Sequence, residues 1–113
     1  MRIVLLGPPG AGKGTQGQRL AARYELVHVD AGHIVRAHIA ERTALGLAAR
    51  PYADQRELLP DELVIAMLEK HLVDATKRGG YVLDGFPRKL QAQQWLQGTH
   101  FRPQLVLSLE VSN

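Results

Sequence analysis

The chain has 113 residues, 45% of them hydrophobic and 22% charged, which is the composition of a soluble globular domain with a single core. Lys and Arg number 14 against 11 Asp and Glu, a formal charge of +3; the basic positions are scattered and aromatics make up 5%, so nucleic-acid binding is not expected. With no cysteine there is neither a disulfide framework nor a thiolate metal site, and no apolar run approaches the roughly 20 residues of a membrane helix.

The elements expected in chain order alternate between strand and helix. Arg2-Ile3-Val4-Leu5-Leu6 is a short apolar run that predicts a strand over residues 3–6, with no room before it for a signal peptide. A glycine-rich loop follows, then a helix over residues 13–24. A second strand is expected at 26–29 and a second helix at 32–41. Residues 44–58 are less regular, Arg50-Pro51 interrupts them, and a small helical flap outside the sheet is expected there. Leu59-Pro60-Asp61-Glu62 reads as a helix start, with proline in the first turn and acids at the positive end of the dipole. Along residues 61–77, Val64, Met67, Leu68, His71, Leu72 and Ala75 recur at helical spacing and predict a buried face. Arg78-Gly79-Gly80 stops that helix. A strand at 81–83, a helix at 90–96 with Trp95 and Leu96 in the core, and a strand at 105–109 complete the pattern. Short apolar strands alternating with helices predict a parallel α/β sheet covered on both faces. The last strand has no onward connection, so residues 1–113 read as one incomplete domain.

Gly7-Pro8-Pro9-Gly10-Ala11-Gly12-Lys13-Gly14-Thr15 carries the clearest chemistry. Between a strand and a helix, its glycines turn backbone N–H groups inward and the helix dipole adds to them, which is a phosphate-binding arrangement. Lys13 supplies a cation for the outer phosphates of a nucleoside triphosphate and Thr15 a hydroxyl for magnesium. Asp84, in Leu83-Asp84-Gly85-Phe86-Pro87-Arg88, is expected at the carboxyl end of a strand beside the first one, the edge at which open α/β sheets bind ligands. A carboxylate there suits a hydrated magnesium ion, and Arg88 suits a phosphate. Arg36 is a second candidate for a phosphate. Asp30 is read chiefly as a helix cap, with a ligand to an acceptor hydroxyl as the other possibility. His28, His38, His71 and His100 show no metal-ligand spacing and are read as packing or surface residues.

Together these clusters resemble the adenylate kinase family of nucleoside monophosphate kinases. GPPGAGKGTQ, LDGFPR, LLPDELV and the stretch Ala31-Gly32-His33-Ile34-Val35-Arg36 match the family's motifs in order, over essentially the whole chain. The resemblance implies a P-loop three-layer α/β/α fold with a short parallel sheet, and a helical acceptor-binding segment over about residues 30–59. It implies reversible transfer of the ATP γ-phosphoryl group to AMP, with magnesium, in a cytoplasmic monomer that binds no nucleic acid or membrane. Gly10, Ala11, Gly12, Lys13, Gly14 and Thr15 would hold the ATP phosphates. Lys13, Arg36 and Arg88 would be the catalytic cations, and Thr15 and Asp84 would support the metal. Ala31, Arg36, Glu57, Leu58, Leu59, Gly85, Phe86, Pro87, Arg88 and Ala92 would line the AMP pocket.

This sequence departs from the family pattern at several positions. Ala31 stands where a threonine is usual, Ala92 where a glutamine is, His33 where an aspartate is and Glu57 where a lysine is. Fewer base-reading contacts imply relaxed acceptor choice. The family's lid would follow Asn113, so the 113 residues alone are expected to catalyse poorly. Two other readings compete: a nucleotide-binding remnant without turnover, and a kinase for a small hydroxyl compound oriented by Asp30.

Overall fold

The computed structural model describes residues 1–7, 12–87 and 90–108. Strands β1 (Arg2–Leu6), β2 (Val27–Asp30), β3 (Tyr81–Asp84) and β4 (Leu105–Ser108) form one sheet in the order β2-β3-β1-β4. Every pairing is parallel. Helices α1 (Lys13–Tyr24), α2 (Ala31–Ala40), α3 (Ala44–Asp54), α4 (Asp61–Lys77) and α5 (Leu90–Gln97) connect them. The α/β class, the parallel sheet and every expected strand and helix are borne out, with ends shifted by a residue.

Two apolar clusters lie on opposite faces of the sheet. On one face Ile3, Leu5 and Val82 pack with Ala21 of α1. On the other, Val4, Val29, Tyr81 and Leu83 meet Met67, Leu68, Leu72 and Ala75 of α4, together with Leu96 and Phe101. β1 and β3 contribute to both because their alternate residues point to opposite sides. Each large α4 side chain in that layer is at most 2% exposed, so its burial contributes about 1.5–3 kcal/mol. Trp95 packs against the second cluster and meets Phe101 edge to face at 6.0 Å, the core position expected of it. The Tyr81 hydroxyl donates to the Phe101 carbonyl at 2.7 Å. Burial pushes that hydroxyl up to about 12, opposed in part by the charge of Arg2.

The helical flap expected over residues 44–58 is present outside the sheet as α3, a regular helix over 44–54 with Pro51 inside it. A helix-interior proline costs roughly 3 kcal/mol, but here the loss is offset because Ala49 is fully buried and the helix packs against α2 and α4. One expectation needs correction: His71 is exposed on α4 while Met67, Leu68, Leu72 and Ala75 are buried. The apolar stripe is narrower than its spacing suggested, and the imidazole keeps its hydration.

Candidate active site

The carboxyl ends of β1, β2 and β3 lie side by side, with Leu5 opposite Asp84 and Asp84 opposite Asp30 in register. The α1 helix begins at this edge. Gly12 is its N-cap in the left-handed region at φ 83°, and among the described residues no side chain caps the first turn. Nor does an acid in that turn, Lys13-Gly14-Thr15-Gln16, neutralise the positive end of the dipole. The first-turn N–H groups and the helix field are therefore available to an anion.

Asp84 is the buried charge of this edge, 7% exposed. Its Oδ1 lies 3.5 Å from Lys13 Nζ and its Oδ2 lies 3.7 Å from His28 Nε2. A carboxylate removed from water needs such partners. Lys13 is itself only partly exposed, on a long side chain able to swing toward a phosphate. Thr15 is exposed on the first turn of α1. One carboxylate and one hydroxyl are hard oxygen donors. Among the described residues, no group of three or more His, Asp or Glu could hold a metal ion. So sparse a set fits an ion such as magnesium, held mostly by its own waters and by a phosphate, and does not fit a protein cage.

Beside this edge opens a cleft of about 210 Å3, lined by α2, the start of α4, the segment between α3 and α4, and the turn after β3. It brings together Ala31, Arg36, Glu57, Leu58, Leu59, Gly85 and Phe86, with Gly32, Val35, Asp61 and Val64. Gly85 follows Asp84 directly, so one wall continues into the Lys13–Asp84 edge. Gly85 has φ 91°, a backbone conformation that favours glycine, and it lies against Ala31, where a Cβ would make ordinary contact at 3.5 Å. Arg36 lies over Gly32 and is exposed to the cleft. Leu58 is 64% exposed, an apolar side chain left in water at the cleft.

Most of the expected site residues thus fall at one edge of the sheet. Pro87 is buried after a cis peptide bond with Phe86 and does not line the cleft. Gly10, Ala11 and Arg88 lie outside the described residues, and of Ala92 only its place in α5 is described. Asp30 caps α2, its Oδ1 accepting from the His33 N–H at 3.1 Å, as its position after the strand suggested. A larger groove of about 570 Å3 runs along the outer side of β2 toward the end of α4. It lies away from the α1 terminus and holds no ligating cluster among the described residues.

One residue escaped sequence reasoning. His28 stands 3.7 Å from the buried Asp84 carboxylate, not on the surface or in an apolar core. A signal was present: His28 is a polar residue inside an otherwise apolar strand, two places before Asp30 and therefore on the same face.

Comparison with known proteins agrees with this geometry. The sequence model of the family described as Adenylate kinase (ADK) matches residues 5–113. The Adenylate kinase of Lachnospira eligens is 49% identical over 90 residues, covering 80% of this chain and 42% of the relative. That of Clostridium perfringens is 47% identical over 96 residues, covering 85% and 44%. Adenylate kinase 1 of a Nostoc species is 46% identical over 96 residues, covering 85% and 52%. The chain spans about half the length of the curated relatives it matches. It belongs to the adenylate kinase family.

Proposed function

We propose that this chain binds magnesium-ATP at the α1 terminus and AMP in the neighbouring cleft, and that it serves transfer of the γ-phosphoryl group between them. The observation that carries the reading is the continuity of the two sites: the Lys13–Asp84 pair, 3.5 Å apart, leads through Gly85 into the cleft that Arg36 lines. The first-turn N–H groups of α1 and the Lys13 ammonium suit the donor's phosphates. Arg36, with Arg88, suits the acceptor's phosphate, and the apolar Leu58, Leu59, Val64 and Phe86 suit a base.

The chemistry asks little of a base or nucleophile on the protein. The acceptor oxygen belongs to a phosphate that is already ionised near neutral pH. It forms a new bond to the γ-phosphorus while the bond from that phosphorus to the β,γ-bridging oxygen breaks, giving two ADP. The chain's work is to align the two phosphates and to neutralise charge with Lys13, Arg36 and Arg88. Asp84 and Thr15 would hold magnesium, which when bound supplies charge stabilisation to the transferring phosphates. Ala31 brings only a methyl group to the acceptor cleft and offers no side-chain hydrogen bond to a base, so acceptor choice is relaxed toward other monophosphates. The protein acts as a cytoplasmic monomer on free nucleotides in this reading.

A coupled assay of ADP production with magnesium, ATP and a panel of monophosphates tests the proposal. Turnover with AMP that disappears in Lys13→Ala is the expected result. Turnover only with a non-nucleotide hydroxyl acceptor would overturn it. ATP binding without turnover on any acceptor would leave a nucleotide-binding protein only.

A further inference from the structure

His28 has no assigned role in the phosphotransfer reading, yet its surroundings are specific. It lies on β2 opposite Val82, on the sheet face that α1 covers, diagonal to Asp84 at the end of β3. Its Nε2 is buried and makes no hydrogen bond among the described residues. The charged partner recorded for that nitrogen is the Asp84 Oδ2, 3.7 Å away. On the other side stands Gly17 of α1, so close that a Cβ there would lie 2.7 Å from Nε2 and 3.1 Å from Cδ2. Helix and strand thus pin the ring in place, and glycine is the residue that leaves room for it.

A buried N–H with no acceptor costs roughly 1–3 kcal/mol, so imidazole and carboxylate gain by closing the remaining gap. Asp84 divides its oxygens: Oδ1 faces Lys13 at 3.5 Å and Oδ2 faces His28. A nucleotide's phosphates compete for Lys13. Once that ammonium leaves, His28 is the side-chain partner that remains to the carboxylate among the described residues.

We infer that His28 is a positioning residue for Asp84, a role that rests on the magnesium-ATP reading above. It donates from Nε2 to Oδ2 when Lys13 is drawn to the phosphates, and so keeps Oδ1 free for the water shell of the metal. His28 touches neither nucleotide nor metal. Its effect is on how well one carboxylate is aimed.

The test is calorimetric binding of ATP to the 113-residue chain, with magnesium and again with a chelator, so that no turnover is needed. His28→Leu keeps bulk and removes the donor; His28→Gln keeps a donor near the Nε2 position; Gly17→Ala displaces the ring from the opposite side. Loss of an orienting partner weakens a metal site by about 10- to 100-fold, so His28→Leu and Gly17→Ala should raise the Kd for magnesium-ATP about tenfold. His28→Gln should stay within about threefold, and metal-free ATP binding should change by less than about twofold in all three. A merely structural histidine would weaken both forms of ATP alike, with no rescue by glutamine, and that result overturns the inference. Should His28→Leu fail to fold, the contrast between Gly17→Ala and His28→Gln decides on the same criterion. Metal-dependent binding by the unaltered chain that none of the variants changes removes the role of His28 alone. Absence of metal-dependent ATP binding in the unaltered chain removes the functional reading, and this inference with it.

Discussion

Replacing Lys13 by methionine and Asp84 by asparagine should affect the ligand-free fold unequally, although both break the same ion pair. At 3.5 Å the gross attraction is about 5 kcal/mol at an effective dielectric constant of about 20. Most of that is cancelled by the desolvation of the two groups, and the remainder depends on which charge is left behind. The Asp84 side chain is 9% exposed at the end of a central strand and cannot move to water. Lys13→Met leaves it, among the described residues, with only the His28 imidazole at 3.7 Å beside it, and should cost about 2 kcal/mol. The Lys13 side chain is 18% exposed on four methylenes at the mouth of the site, so in Asp84→Asn the ammonium moves into solvent. The isosteric amide then fills the same space, and the loss should be less than about 1 kcal/mol. Urea unfolding of the two variants at pH 7 and low salt, compared at equal m-value, measures the difference. An Asp84→Asn chain destabilised as much as Lys13→Met, or more, would refute the reasoning, because the carboxylate would then be a structural staple and not a charge held ready for a ligand.

Three further outcomes are expected. Tyr81→Phe removes the buried bond to the Phe101 carbonyl and should lower stability by about 1–2 kcal/mol in thermal or urea melts. The folded chain holds its Tyr81 proton up to about pH 12 while the unfolded chain releases it near 10, so native binds more protons in that window. This contribution is present in full below pH 10 and is lost as pH rises toward 12, and the alkaline decline should be shallower in Tyr81→Phe. Gly46→Ala would place a Cβ 1.9 Å from the His38 backbone oxygen, so α3 must move away from α2. That should cost about 1–3 kcal/mol and weaken AMP binding more than ATP binding, as calorimetry with each nucleotide would report. In Gly32→Ala the one close contact is with the movable Arg36 Nη1, at 2.9 Å, the Asp30 Oδ1 lying at an ordinary 3.5 Å. It should change stability by less than about 1 kcal/mol and still raise the KM for the acceptor by displacing the guanidinium.

The strands were legible because a parallel strand buried on both faces is written as an apolar run, as in Val4-Leu5 and Tyr81-Val82-Leu83. The α4 helix was legible to the residue: its acids open the first turn and Lys77 with two glycines close it. The α3 segment was legible as a helical flap but not as one continuous helix, because proline normally ends a helix and here packing on α2 and α4 offsets the lost bond. At the site, Lys13, Thr15 and Asp84 stand in local patterns with their own mechanics. The pairing of Asp84 with His28 does not, since it joins residues 56 positions apart on two strands whose adjacency comes from the sheet order. Arg36 was only a candidate before the resemblance and Glu57 came from the resemblance alone, because little that is local to an exposed arginine on a helix announces a phosphate.

The central claim is that donor and acceptor occupy two adjoining subsites on one sheet edge. Amide chemical-shift mapping of the 113-residue chain tests it most directly. Magnesium-ATP should perturb the amides of Gly12 to Gln16, His28 and Asp84, and AMP should separately perturb those of Ala31 to Arg36, Leu58, Leu59 and Phe86. If both nucleotides shift one common set of amides, or if AMP shifts none in the cleft, the two-subsite account is contradicted.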